Sequence, residues 1–177
     1  MLSPLVRGAA RPPAIHATEE ESPMPQDRVF LVVVDDSPER AVALRYACLR
    51  VRKSGGRVAL LRINEPVGLQ EWAGVGALMQ EERRQEAEQL LSALAAQVQE
   101  ITGGIPLLLI REGEPVEEVL GALAEDPRIS ILVLATATEG GPGPLVTALT
   151  GRWAARLRCP MTLVPGGMDD TELDRVT

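Results

Sequence analysis

From residue 28 onward the chain repeats one pattern: a short aliphatic run, a polar break, then a segment with helical periodicity. The runs are "RVFLVVV" (28–34), "RVALLRI" (57–63), "IPLLLI" (105–110), "RISILVLAT" (128–136) and "PMTLVP" (160–165). Their length, with flanking Gly and Pro, marks them as buried strands rather than helices. Between them, Ser37 and Pro38 form a good helix start, followed by Val42, Tyr46 and Leu49 on one face. A long helix is expected over 79–101, with Ala87, Leu90, Leu91, Leu94, Val98 and Ile101 inward. Pro115 opens another, and residues near 151–158 read as a further helix. The stretch "NEPVGLQEWAGVGALM" (64–79) has no clear period and is expected to be a loop or short helical turns. Strand–helix alternation of this kind implies a parallel sheet with helices on both faces. Right-handed crossovers make it a doubly wound, five-stranded α/β sandwich. Such folds bind ligands beyond the carboxyl ends of their strands, at the topological switch point. Asp35, Asp36 and the loop after Thr136 fall on that edge.

Composition removes several functions. A formal net charge of -7 opposes sequence-independent binding to nucleic acid. Phe30, Tyr46, Trp72 and Trp153 are the only aromatics, so stacking platforms are lacking too. No apolar run approaches the ~18 residues of a membrane span. Cys48 and Cys159 read as small reduced core residues of a cytoplasmic protein. His16 is the only histidine, which leaves neither a zinc set nor a Ser–His–Asp triad. Residues 1–27 carry five prolines and an acidic triplet without periodicity. They are expected to be a disordered extension, with Met24 an alternative start. Residues 28–166 form the expected domain and 167–177 a flexible C-terminal tail.

Three chemistries fit an acidic pair at the end of a first strand. A phosphoryl-accepting receiver needs a third aspartate after the middle strand and a lysine after the last. This chain has no aspartate between Asp36 and Asp126, and its only lysine is Lys53. A dinucleotide site needs G-x-G-x-x-G after the first strand, which is missing. Ligand contact by Asp35 and Asp36 competes with a simpler role, polarising the N-terminus of the first helix. "GGPGP" (140–144) reads as a stiff turn, and Trp153 with Leu157 as core packing.

Four stretches, in order, carry a resemblance over about 140 residues. They are "VVVDDSPERAVALRYA", "VALLRINEP", "REGEPVEEVLGAL" and "ILVLAT…GG…GR…RCPMTLVPG". Together they resemble the universal stress protein family, which implies a Rossmann-like sheet of five parallel strands, usually dimeric through the last strand. In the nucleotide-binding branch of that family, the first-strand aspartate lies near base and ribose. A G-x-x-G loop, followed nine residues later by G-S or G-T, holds the phosphates. Glycines let backbone N–H groups approach the oxygens, and a helix N-terminus adds a favourable dipole. Here Gly141 and Gly151 keep the nine-residue spacing. The first glycine is replaced, by Thr138 if matched on spacing or by Ala135 if matched on the strand end. Arg152 stands in place of the hydroxyl residue, Pro142 and Pro144 lack N–H donors, and Glu139 repels phosphate. Arg152 or Arg156 could supply a cationic contact instead.

The resemblance therefore implies a binding protein rather than an enzyme. The favoured reading is a dimeric interaction module, with an unidentified protein partner, in which nucleotide binding has been lost. The alternative is a site for ATP or another adenine nucleotide built from Asp35, Asp36, Ile63, Ala135, Gly141, Gly143, Gly151 and Arg152. A slow ATP hydrolase comes third, since no catalytic base, phosphate-binding lysine or metal cluster is evident. The dimer is expected to form through Met161, Thr162, Leu163 and Val164.

Overall fold

The computed structural model describes residues 28–66 and 73–177. The extension expected over 1–27 lies outside the described residues, as does the stretch 67–72. Five strands are present among the described residues: β1 (Val29–Val34), β2 (Arg57–Asn64), β3 (Leu107–Glu112), β4 (Ile129–Thr136) and β5 (Met161–Pro165). The helices are α1 (Arg40–Ser54), α2 (Ala73–Thr102), α3 (Pro115–Glu125), α4 (Pro144–Thr150) and α5 (Asp170–Val176). All strand pairs are parallel, in the order β3-β2-β1-β4-β5. Chain order therefore runs outward from β1 on one side and reverses onto β4 on the other. Among the described residues no helix is long and apolar enough to cross a membrane.

The two faces follow from the alternation of side chains along each strand. Phe30, Val32, Val34, Val58, Leu60 and Val133 point to the face covered by α1, α2 and α5. Val29, Leu31, Ala59, Leu61, Leu132 and Leu134 point to the face covered by α3 and α4. Leu31 and Val32, neighbours in β1, are both fully buried, as a central parallel strand requires. α3 begins as its sequence suggests. Glu114 accepts from Val116 N at 2.8 Å, Pro115 takes the first helical position, and Glu117 and Glu118 face the positive helix end.

Three expectations change. Helix α2 starts at Ala73 instead of 79. Two interior glycines cost about 1 kcal/mol each, yet adding residues to an existing helix is favourable. The helix expected over 151–158 is replaced by α4 at 144–150 and a single 3₁₀ turn, Ala154–Arg156. Pro144 starts the helix early because its φ is preset and its missing N–H is not needed there. Finally, residues 167–177 are no free tail. Asp169 and Glu172 form a reciprocal capping box at the start of α5, and Leu173 is 1% exposed against the α1 face. Arg45 pairs with Asp170 at 2.8 Å, and Arg50 donates to the Thr177 carbonyl at 3.2 Å. The cause is burial: Met168 and Leu173 cover core that β5 and α1 would otherwise expose.

Truncating this anchor should be costly. Leu173→Ala is expected to lower unfolding stability by about 2–3 kcal/mol, as for other buried leucines. Urea denaturation checks it, and a loss below ~0.5 kcal/mol, typical of a surface change, would mean that α5 is not docked.

Candidate functional site

Because strand order reverses between β1 and β4, the loops leaving these strands diverge to opposite faces of the sheet and leave a crevice between them. Residues 35–39 form one wall and 137–143 the other. A cleft of about 190 Å³ lies there. Its apolar floor and side include Val33, Leu134, Ala135 and Val146, and its polar rim is Asp35, Ser37, Glu39 and Arg40. That volume is below the ~300–1,000 Å³ usual for enclosed ligand sites.

The acidic pair separates. Asp35 Oδ1 accepts from Ser37 N at 3.0 Å and from Ser37 Oγ at 2.6 Å, a local Asx turn at the cleft rim. Ser37 is thus engaged backwards on Asp35 rather than capping α1, and the helical ladder begins at Arg40. Arg40 folds back onto the same turn, donating to the carbonyls of Asp35 and Ser37 at 3.2 Å each. Asp36 points elsewhere: it pairs with Arg62 of β2 at 2.8 Å. The hydrogen bond from Arg62 holds the Asp36 carboxyl below its usual range, against a smaller opposing effect of burial.

The other expected site residues divide in the same way. Ala135 and Gly143 line the cleft; Ile63, Gly141, Gly151 and Arg152 do not. Ile63 packs on the core facing α3. Gly143, at φ 92°, makes the sharp turn into Pro144 that only glycine adopts readily. Gly151 ends α4, and its N–H donates to the carbonyls of Thr147 and Ala148 at 3.1 and 3.2 Å. Seven helical residues separate it from the cleft end of α4, an axial rise of ~10 Å. The Arg152 and Arg156 guanidinium carbons lie 5.3 and 4.7 Å from the Trp153 ring centre, within cation–π range. Arg156 also pairs with Glu117 at 3.4 Å.

Two residues at the centre of this crevice carry no sequence signal. Glu39, the residue just before α1, reaches across to the β4 loop, accepting from Thr138 N at 3.1 Å and Thr138 Oγ1 at 3.0 Å. Gly166, just after β5, makes room for it: a Cβ there would lie 2.3 Å from Glu39 Cγ and 2.4 Å from the Thr136 carbonyl oxygen. Contacts spanning 99 and 127 positions leave no local pattern to read.

Four positions suited to holding phosphates therefore offer no free donor. Pro142 and Pro144 have no N–H, Gly151 N–H is bound to α4, and Thr138 N–H is bound to Glu39.

An open parallel α/β sheet with its cleft at the switch point is the Rossmann-like architecture of many small-ligand binding proteins. A sequence description of the universal stress protein family matches residues 28–165, and the chain belongs to that family. Its fold is similar to UspA from Lactobacillus plantarum, at 14% identity and TM-score 0.68, covering 78% of this chain and 98% of that one. A universal stress protein family member from Burkholderia pseudomallei matches at 17% identity and TM-score 0.61, covering 81% and 99%. A family protein from Arabidopsis thaliana, solved with AMP bound, matches at 16% identity and TM-score 0.53, covering 85% and 99%. Among curated proteins none matches. Helix α5 lies beyond the matched region.

The Glu39 bridge should be sensitive to acid. Hydrogen bonds from its own backbone N–H and from the Thr138 N–H and hydroxyl hold the Glu39 carboxyl below its usual value of 4.5. A group with a depressed folded pKa adds stability above its unfolded pKa and loses it as pH falls through the folded one. The thermal midpoint of the wild type should therefore exceed that of Glu39→Gln by a constant margin from pH 6 to 8, and the margin should shrink below about 4.5. Other depressed carboxyls, such as Asp36, are common to both proteins and cancel. A margin that grows on acidification would contradict the bridge.

Proposed function

We propose that this universal stress protein acts by binding rather than catalysis, as a homodimeric interaction module whose switch-point cleft has given up the triphosphate-binding mode. The observation that carries this reading is the Gly151 N–H. Where the phosphate motif of the family calls for a glycine donor, this one closes the C-terminus of α4. A backbone N–H already shared between two carbonyls is exchanged for a phosphate only by breaking the helix end. Arg152, in the place of the hydroxyl residue, lies near Trp153. The AMP-bound relative from Arabidopsis thaliana supports the crevice as a ligand position in this fold, and the cleft between Asp35 and Ala135 remains for a small ligand or a partner's side chain.

Calorimetric titration tests this directly. No heat and no thermal shift are expected with ATP up to ~1 mM, which corresponds to binding weaker than about -4 kcal/mol. A micromolar dissociation constant would overturn the reading.

Support for the dimer comes from β5. It is an outer strand, paired only with β4, and Leu163 is 37% exposed. "MTLV" contains no charge to discourage pairing, while unpaired edges are normally protected. Pro160 and Pro165 bracket the strand and limit the ladder, favouring a closed two-fold pair over a fibre. Light scattering at micromolar concentration should give twice the chain mass. Leu163→Pro, which removes an N–H facing away from β4, should halve it, and a monomeric wild type would remove the dimer from the reading.

A further inference from the structure

We propose that Glu39 is a resident anion: its carboxylate fills an anion-binding position made by Thr138, and this makes Glu39 the residue through which the cleft refuses phosphate. The inference rests on the proposed loss of the triphosphate mode and names the side chain that enforces it. Thr138 presents two donors, its backbone N–H and its hydroxyl, and both converge on Glu39 Oε1 at 3.1 and 3.0 Å. Thr138 is also the position that, by the nine-residue spacing, replaces the first phosphate-loop glycine. The loop thus presents a donor pair suited to an oxyanion, its hydroxyl absent from a glycine, and gives it to an anion from its own chain.

The surroundings are shaped for this occupant. Gly166 lies against the Glu39 side chain so closely that any Cβ would strike Glu39 Cγ. The same glycine is fixed by its own N–H, which donates to the Thr136 carbonyl at 3.1 Å. Arg40 lines the same cleft, so a cation stands near whatever anion enters. Carboxylate and phosphate oxygens accept hydrogen bonds alike. An acceptor tethered at the N-cap of α1 competes at high effective concentration with any solute, and its charge repels a second anion.

The test uses the full chain, labelled with ¹⁵N, as wild type, Glu39→Ser and Glu39→Gln, each titrated with inorganic phosphate. Serine is tolerated at a helix start and is too short to reach Thr138; glutamine keeps the reach but not the charge. The serine variant should bind phosphate at least about tenfold more tightly than wild type, the change that a charge-assisted hydrogen bond carries. The Thr138 amide resonance should shift saturably in that variant, stay still in wild type, and respond to an intermediate degree in the glutamine variant. Equal titration of all three proteins, or binding that leaves the Thr138 amide unmoved, would overturn the inference. Should the serine variant not fold, the glutamine variant decides alone: a response above wild type supports the resident anion, and one equal to wild type refutes it. Tight ATP binding by the wild type would sink the proposed function, while the variant-to-wild-type ratio for phosphate still judges Glu39 separately.

Discussion

Everything in this molecule is arranged around a strand that must be buried on both sides. β1 places Phe30, Val32 and Val34 against one helical layer and Val29 and Leu31 against the other. No single layer can satisfy such a strand, so helices must cover both faces. Right-handed crossovers then force the chain to build outward from β1 in both directions. The reversal of strand order between β1 and β4, and with it the crevice beyond their ends, is a consequence of that burial.

Several backbone donors around the crevice are already engaged within the chain. A phosphate loop works only while its N–H groups are free and converge. Here four positions have no free donor. Gly151 is held by the last carbonyls of α4, Thr138 by Glu39, and the two prolines contribute none. The acidic pair is divided by the same logic. Asp35 is drawn into a turn with Ser37, while Arg62 pulls Asp36 over to β2. Such local satisfaction leaves a small, largely apolar cleft with a mixed polar rim.

Helix α5 lies outside the family's matched region and extends the core of the sheet. Leu173 and Met168 extend the core on the α1 face beside β5. The signal for it was present as "DDTE", since Asp169 and Glu172 stand at capping-box spacing. A seven-residue helix is too short to be stable alone, so its local propensity carries little weight until α1 provides a surface.

The strands, their parallel arrangement and the edge expected to bear a site were legible in the sequence because burial imprints an apolar pattern on each segment. The continuous apolar run of β1 and the period of 3.6 in α3 are local consequences of facing a core, and they are written residue by residue. The same is true of Pro115 and Glu114 opening α3. The path after β4 was less legible, because Pro144 and Gly151 each fit more than one helix boundary and the choice depended on packing Val146 and Leu149 against β4. The bridge from Glu39 to Thr138 and the space left by Gly166 left no trace at all in the sequence. They join positions about a hundred residues apart through contacts with no periodicity, and only the closed tertiary fold brings a carboxylate, two donors and a missing side chain to one point.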